Sequence, residues 1–448
     1  MDFAGAYGDK RRAAAVGRLH ASMVAQSSVV VRRLGGGRAG EVAGHRVLSS
    51  EAVTPEQTVA CFARRTAAAA AGRRIVAAQD TTECNFPTRC NSRLGPAGRN
   101  GDTPGFFLHA VIAVDVAEAA VLGVVDAAIW TRAAPPVGDR RKRDLAAKES
   151  RRWLAAARQA GAVLADARQI IVVGDRESDI YQVFEARPAA VELVVRVAQN
   201  RKLADDGLLF AAALDRLGSH RVPIPPRRIG DPGRVAEVSV LAGRVSVRAP
   251  RNGRREPTSR PAVTLTLVEV VEADPPAGET ALHWRLLTTL PADTLAAVQD
   301  VVGCYRLRWR IEQSFRMLKS DGLRLEDSQT TDTHRLFNLA TLALGAAVRI
   351  IQLVDARNGS PRPAGDVASA VEIAAATALA PTLQGRTERQ KNPHPPGNLA
   401  WLAWIVARLG GWNCYYKPPG PKTMRQGWDR FAAIAHGFAL ATPPRQLV

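Results

Sequence analysis

Residues 169–174 read Gln-Ile-Ile-Val-Val-Gly, a continuous apolar run of strand length that stops at Asp175. A strand with water on one face alternates apolar and polar residues. One without alternation is covered on both faces, the setting of a sheet packed between helices. The chain must therefore supply helices to cover this strand and further strands to pair with it. Residues 74–80 (RIVAAQD) have the same character and also close on a carboxylate, Asp80. Strand-like runs follow at 107–116 and 120–130, and a helical stretch near 148–162. Strands in a meander, then a helix, then a buried strand predict an α/β core rather than a barrel.

At 448 residues the chain exceeds one compact core and predicts two or three domains. Lys and Arg number 61 against 42 Asp and Glu, a net charge of +19. Such a surplus points to a polyanion, nucleic acid before anionic membrane. The competing reading is a solvated surface rich in arginine. The five cysteines, Cys61, Cys84, Cys90, Cys304 and Cys414, are odd in number and contain no C-x-x-C pair. That excludes a zinc site by spacing and a disulfide framework, and suits buried thiols in a reducing cytoplasm. The opening MDFAGAYGDKRR has no apolar signal core, so secretion is not expected. The apolar stretch 338–356 carries Arg349 and reads as a core helix rather than a membrane span.

Residues 1–50 read as helical and basic, with a break at Gly35, Gly36 and Gly37, and Arg11 and Arg12 stand among their candidate DNA contacts. Residues 221–260 hold six prolines and ten arginines against Asp231, Glu237 and Glu256. Valine-rich alternation at 236–247 and 262–271 predicts antiparallel strands carrying a basic loop. A long helix is expected from about Asp300, and a proline-containing link at 360–363 leads into a helical tail. The predicted organisation is a helical basic domain at 1–54, an α/β domain at 55–358 with a strand-rich insertion at about 187–292, and a helical domain at 359–448.

Metal-dependent phosphodiester chemistry needs carboxylates converging from different elements, because two divalent ions about 3.5–4 Å apart share their ligands. Asp80 and Asp175 close apolar strands, where α/β sheets present groups to a site. Taken singly, each is more often a turn or cap residue. Residues 305–319 say more. On a helix, Tyr305, Arg308, Glu312 and Lys319 fall at offsets 0, 3, 7 and 14, within an arc of roughly 60°. A surface ion pair explains Arg308 and Glu312, but not a phenol and an ammonium in register with them.

These segments resemble the DDE transposases of the insertion-sequence-four family, whose signature is Y-x-x-R-x-x-x-E-x-x-x-x-x-x-K. QDTTECN resembles the family's first-aspartate motif, VVGDRESDI its second and YRLRWRIEQSF its glutamate motif. WLAWIVARLGGW and QGWDRF resemble its C-terminal segments, so ordered matches run from about Gly8 to Phe438. The resemblance implies a ribonuclease-H-like catalytic core interrupted by a β-rich insertion, with helical flanking domains, the last serving dimerisation. It implies that Asp80, Asp175 and Glu312 bind two Mg²⁺ ions, with Mn²⁺ able to substitute. The expected reaction is cut-and-paste transposition: a nick, a hairpin, its reopening, and attack of the 3′-hydroxyl on target DNA. Expected partners are double-stranded DNA, as terminal inverted repeats and as target, and a second copy of the chain; no membrane is expected.

The resemblance also assigns finer roles. Trp284 falls where the family places the aromatic that receives a flipped base. Tyr305, Arg308 and Lys319 match residues that hold phosphates. Arg196, Arg201 and Lys202 resemble a DNA-contacting stretch more loosely, and Glu177 and Asp179 are candidate supports for Asp175. Asp115 and Asp126 are runner-up carboxylates. One departure is the start: the family's leading segment is missing or replaced by MDFAGAY, so end recognition is expected to be weakened, altered or served by a shorter domain. A metal-dependent nuclease that cuts without joining and an inactive transposase-derived DNA-binding protein are the alternatives.

Overall fold

The computed structural model describes residues 3, 5–87, 94–98, 103–132, 149–224, 233–250, 260–415 and 417–441. Cys90, Lys148 and much of the expected basic loop, including Pro225, Pro226, Pro232 and Pro257, lie outside these residues. In chain order the elements are α1 (Lys10–Gln26), α2 (Val31–Leu34), α3 (Arg38–Leu48), α4 (Pro55–Ala70), β1 (Arg74–Asn85), β2 (Gly95–Ala97), β3 (Thr103–Asp115) and β4 (Ala120–Trp130). There follow α5 (Arg151–Val163), β5 (Gln169–Gly174), α6 (Tyr181–Glu185), β6 (Val191–Arg196), β7 (Asp215–Ile224), β8 (Arg234–Arg248), β9 (Ala262–Glu272) and β10 (His283–Thr288). The rest is helical: α7 (Leu295–Leu307), α8 (Trp309–Lys319), α9 (Thr333–Ala356), α10 (Ala370–Leu383), α11 (Leu399–Leu409) and α12 (Pro421–Ala441).

The chain forms two units, one of Met1–Ala71, Thr81–Pro136 and Arg310–Val448, the other of Gly72–Asp80 and Val137–Trp309. In the second unit, β1, β5 and β6 run parallel, with Ala78 beside Val173 and Gly174 beside Val195. β10 joins β6 antiparallel, and β9, β8 and β7 continue outward antiparallel. The burial of the strands follows their composition. Ile170 to Gly174 are all buried, with α5 and α7 packed on β5. β8 instead alternates between buried and open positions, as an antiparallel strand with one face toward solvent does. The start of β1 is tied to α7 by a bidentate ion pair, Arg74 Nη1 and Nη2 to the two Asp300 oxygens at 2.5 Å each.

In the first unit, β3 pairs antiparallel with β2 and β4 and is buried from Gly105 to Asp115. α4 and α9 pack against β4, and α1, α3, α11 and α12 surround α9. α9 is long and apolar enough to cross a membrane, yet 94% of its apolar window is buried inside the protein, the environment expected of a core helix. Asn338 on α9 donates from Nδ2 to the carbonyls of Leu48 (3.0 Å) and Val53 (2.7 Å), fixing the N-terminal helices to it. The mixture of parallel and antiparallel strands with helices is consistent with a ribonuclease-H-like α/β protein.

Two expectations change. β1 does not end at Asp80 but continues to Asn85, so the carboxylate sits inside a strand. What ends near Asp80 is the apolar lining: positions 75–79 are buried and 80–83 only half-buried. The helix expected from about Asp300 begins at Leu295, capped by the Thr294 hydroxyl, and its hydrogen-bond ladder breaks at Arg308. Arg308 keeps helical angles, but its N–H bonds Tyr305 O at 3.1 Å, a tighter turn than the α-helical one.

Candidate active site

The second unit gathers most of the residues singled out by sequence. β1 and β5 pair in register up to Ala78 and Val173. Extending that register by two residues carries Asp80 and Asp175 to the same level and face of neighbouring strands, which lie about 4.8 Å apart. Asp80 Oδ2 accepts a hydrogen bond from Arg308 Nη1 at 3.0 Å, with both side chains largely sheltered. Asp175 caps the 3₁₀ turn 176–178, its Oδ1 accepting from Glu177 N at 2.9 Å. The turn is tight: Ser178 Oγ donates to Asp175 O at 2.7 Å, and a Cβ on Gly174 would meet that hydroxyl at 2.2 Å. A glycine is therefore required immediately before the aspartate.

Trp284 sits on β10, half-buried and opposite Val270 of β9, rather than sealed in the core. Its ring meets that of Tyr305 edge-on, with centroids 5.5 Å apart at 67°. The Tyr305 side chain is itself buried. The Arg196 guanidinium lies 3.5 Å from His283 O, at the limit of a hydrogen bond. Arg201 is committed elsewhere: its Nε donates to Asp179 Oδ1 at 3.1 Å, and the two side chains are 10% and 0% exposed. Asp179 also accepts from Ala198 N and Gln199 N at 2.8 and 3.0 Å, so it clamps the loop after β6. Lys202 is exposed, and Glu177 pairs with Arg152 at 2.7 Å.

The other named residues lie in the first unit. Glu312 occupies the first turn of α8, half-buried. Lys319, at the end of α8, donates to Glu83 O at 2.5 Å and pairs with Glu326 at 3.3 Å, while Glu326 accepts from Asn85 N at 2.9 Å. Arg11 is exposed, and Arg12 donates to Tyr7 O. Of the runner-up carboxylates, Asp115 is buried and bonds Ala117 N and Glu118 N, a turn role. Burial pushes the Asp126 carboxyl above its ordinary value.

Sequence reasoning passed over Glu326 and Asp355. Asp355 lies near the end of α9 with its side chain 3% exposed, pairs with Arg310 Nη1 at 2.8 Å and accepts from Val121 N at 2.9 Å. Burial raises its carboxyl above the ordinary range more strongly than Arg310 lowers it. The signal for Asp355 was present: it is the one acid in an otherwise apolar helical stretch. Glu326 carried no comparable signal.

Among the described residues no group of three or more His, Cys, Asp or Glu side chains is placed to hold a metal ion. The Asp80 and Asp175 pair nevertheless offers the hard oxygen donors that Mg²⁺ and Mn²⁺ take.

Comparison with known proteins adds identity to this geometry. Residues 147–349 match the family described as the transposase DDE domain, a span that includes Asp175, Trp284, Arg308 and Glu312. The transposase for insertion sequence element IS421 of Escherichia coli is 45% identical over 65 residues, 14% of this chain and 17% of that protein. The InsL protein of insertion sequence element IS186A of Escherichia coli K12 matches to the same extent. The chain thus spans about one-sixth of the length of these relatives. The domain match likens residues 147–349 to the transposase DDE domain, and the relatives liken 65 residues to transposases.

Proposed function

We propose that the chain is a cut-and-paste DNA transposase of the insertion-sequence-four family, in the branch of the transposon-five transposase. Asp80, Asp175 and Glu312 are its catalytic carboxylates. The observation that supports this reading is the parallel pairing of β1 with β5 up to Ala78 and Val173, two residues short of Asp80 and Asp175, within one unit that also holds Arg308, Trp284 and Tyr305. Glu312 joins on its sequence motif. Two divalent ions held by these carboxylates would polarise the scissile phosphate and make water nucleophilic at neutral pH.

The chain's own groups do the remaining work. Arg308 presents a planar guanidinium that can pass from Asp80 to a phosphate, for which its geometry is suited. The half-buried face of Trp284 offers a stacking platform for a base extruded at a hairpin bend, and Tyr305 steadies that ring from its edge. This pair favours a hairpin-forming enzyme over a simple nuclease, which gains nothing from trapping a base. A second copy of the chain, joined through the helical tail after about residue 360, would pair two transposon ends.

The test uses a labelled duplex carrying the inverted repeats that flank the gene. With Mg²⁺ or Mn²⁺ the unmutated protein should nick it, whereas Asp80→Ala, Asp175→Ala and Glu312→Ala should bind it without nicking. Undiminished nicking removes that residue from the site. No cleavage by the unmutated protein with either ion overturns the reading.

A further inference from the structure

Arg349 stands in the middle of α9, 5% exposed, and its Nη2 is buried with no hydrogen-bond partner. A guanidinium in an apolar core is expensive unless a counter-charge answers it, because the protein cannot replace the lost hydration. One turn earlier, Gly345 brings α9 hard against α4: a Cβ there would meet the Phe62 ring at 2.3 Å. Beside Arg349 the packing opens instead into a cavity of about 20 Å³, lined by Phe62, Arg65, Thr66, Gly123, Arg349 and Gln352. That is room for one water-sized occupant, since about 10–15 Å³ is the minimum.

The charges near this cavity do not balance. Arg65 is held by Gly365 O at 2.9 Å, and Arg362, 2% exposed, by Asp366 at 2.9 Å and Val121 O at 3.0 Å. Among the described residues, the guanidiniums of Arg65, Arg349 and Arg362 face two carboxylates, Asp366 and Glu372, one fewer than the cations, and Asp355, which also faces Arg362, is paired with Arg310. Asp366 pairs with Arg362, and Glu372 caps Ser369 N at 2.6 Å. His20 packs nearby with its Nε2 unpartnered, and burial holds its pKa well below the ordinary value, so it remains neutral. Gln352 Nε2 and Thr66 Oγ1 give their hydrogens to Leu122 O and Val124 O. Burial first and the neighbouring Arg65 charge second pull Arg349 down to about 10, against a smaller upward pull from Glu372. A water in the cavity could accept a hydrogen bond but would leave the surplus charge in place.

We propose that this cavity binds a single halide-sized anion, held by Arg349 and Arg65, as a structural counter-ion of the α4–α9 core. Phosphate, sulfate and organic acids exceed the space, so chloride is the ion to test. This site is independent of the candidate catalytic carboxylates.

Thermal unfolding of the full chain in sodium chloride should show a saturable midpoint rise of about 2 °C or more over sodium gluconate of equal ionic strength. Arg349→Met should abolish the chloride-specific rise yet melt no lower than the unmutated protein in gluconate, since it removes an uncompensated charge. Identical midpoints in the two salts, or a chloride rise that survives Arg349→Met, would overturn the proposal. Crystals of the unmutated protein grown in sodium bromide give a measurement that needs no variant. An anomalous peak within hydrogen-bond distance of Arg349 supports the site, and a cavity without bromide contradicts it.

Discussion

Arg308 and Arg310 stand two residues apart in the chain, yet they serve carboxylates of opposite kinds. Arg308 meets Asp80 on a parallel strand, where the lining has just changed from buried to half-buried. Arg310 meets Asp355 in the helical core, where the carboxylate also caps Val121 N. Both are Arg–Asp pairs at about 3 Å, and the surroundings separate them. The first carboxylate, 17% exposed, is one of those proposed to bind metal. The second is closed off, and its acceptor capacity is used on backbone and Arg310. An ion pair read by distance alone says nothing about function; what else the carboxylate can reach does.

The sharpest way to break this comparison is to exchange the damage. Asp175→Ala should lower nicking by about 10³-fold or more, because Lewis-acid assistance worth several kcal/mol is lost, while stability falls only by the loss of one turn cap, about 1 kcal/mol. Asp355→Leu should do the reverse, leaving residual cleavage per folded molecule near normal. Equal effects of the two substitutions on nicking would erase the distinction.

A smaller effect separates joining from cutting in the same unit. Trp284→Ala removes a stacking platform worth about 1–3 kcal/mol and should slow hairpin formation by roughly 5- to 150-fold. The first nick needs no bent strand and should change much less. Time courses on a labelled end would then accumulate nicked DNA at the expense of hairpin. A parallel fall in both species would place Trp284 outside the mechanism.

The stability side of the comparison has its own magnitude. Asp355→Leu strands the Val121 N–H, a cost of about 1–3 kcal/mol visible as a lower urea midpoint, while Arg310 keeps Ala119 O and Gln313. Asp355→Asn keeps an acceptor and should cost less. Its pH dependence is the smallest expected signal. Because burial raises the folded-state pKa of Asp355, the folded protein binds the proton more readily than the unfolded chain does. Stability from this group is therefore greatest below its ordinary value of 3.8 and falls as pH rises through the raised value. Asp355→Asn should remove that decline, so a pH series of urea midpoints showing the same slope in both proteins would refute the assignment.

Much of the second unit was legible in the sequence because its strands declare their surroundings. The unbroken apolar run at 169–174 could only be a doubly covered strand, and the alternation at 236–247 marked β8 as a one-sided antiparallel strand. The continuation of β1 past Asp80 was not legible, because TTECN is polar enough to read as a turn when its pairing partner is unknown. Periodicity placed Tyr305, Arg308, Glu312 and Lys319 on one helical face, but could not register a break of one hydrogen bond at Arg308. Nor could it see that Arg201 is consumed by Asp179 or Lys319 by Glu326, since those partners lie outside the helix whose period was read. A basic residue in a motif announces its charge, and only the fold says what has already claimed it.

If Asp80 and Asp175 are metal ligands for DNA cleavage, as proposed, changing the ligand at Asp175 should change which metal supports cutting. Asp175→Cys places a soft thiolate where a hard carboxylate stood, so it should lose cleavage in Mg²⁺ and regain part of it in the more thiophilic Mn²⁺. Asp175→Ala, with no ligand to offer, should stay inactive in both. Rescue of the cysteine variant alone is the result expected on a labelled transposon end. Cleavage by Asp175→Cys that is equal in the two metals, or rescue of the alanine variant as well, would contradict a metal-ligand role for Asp175.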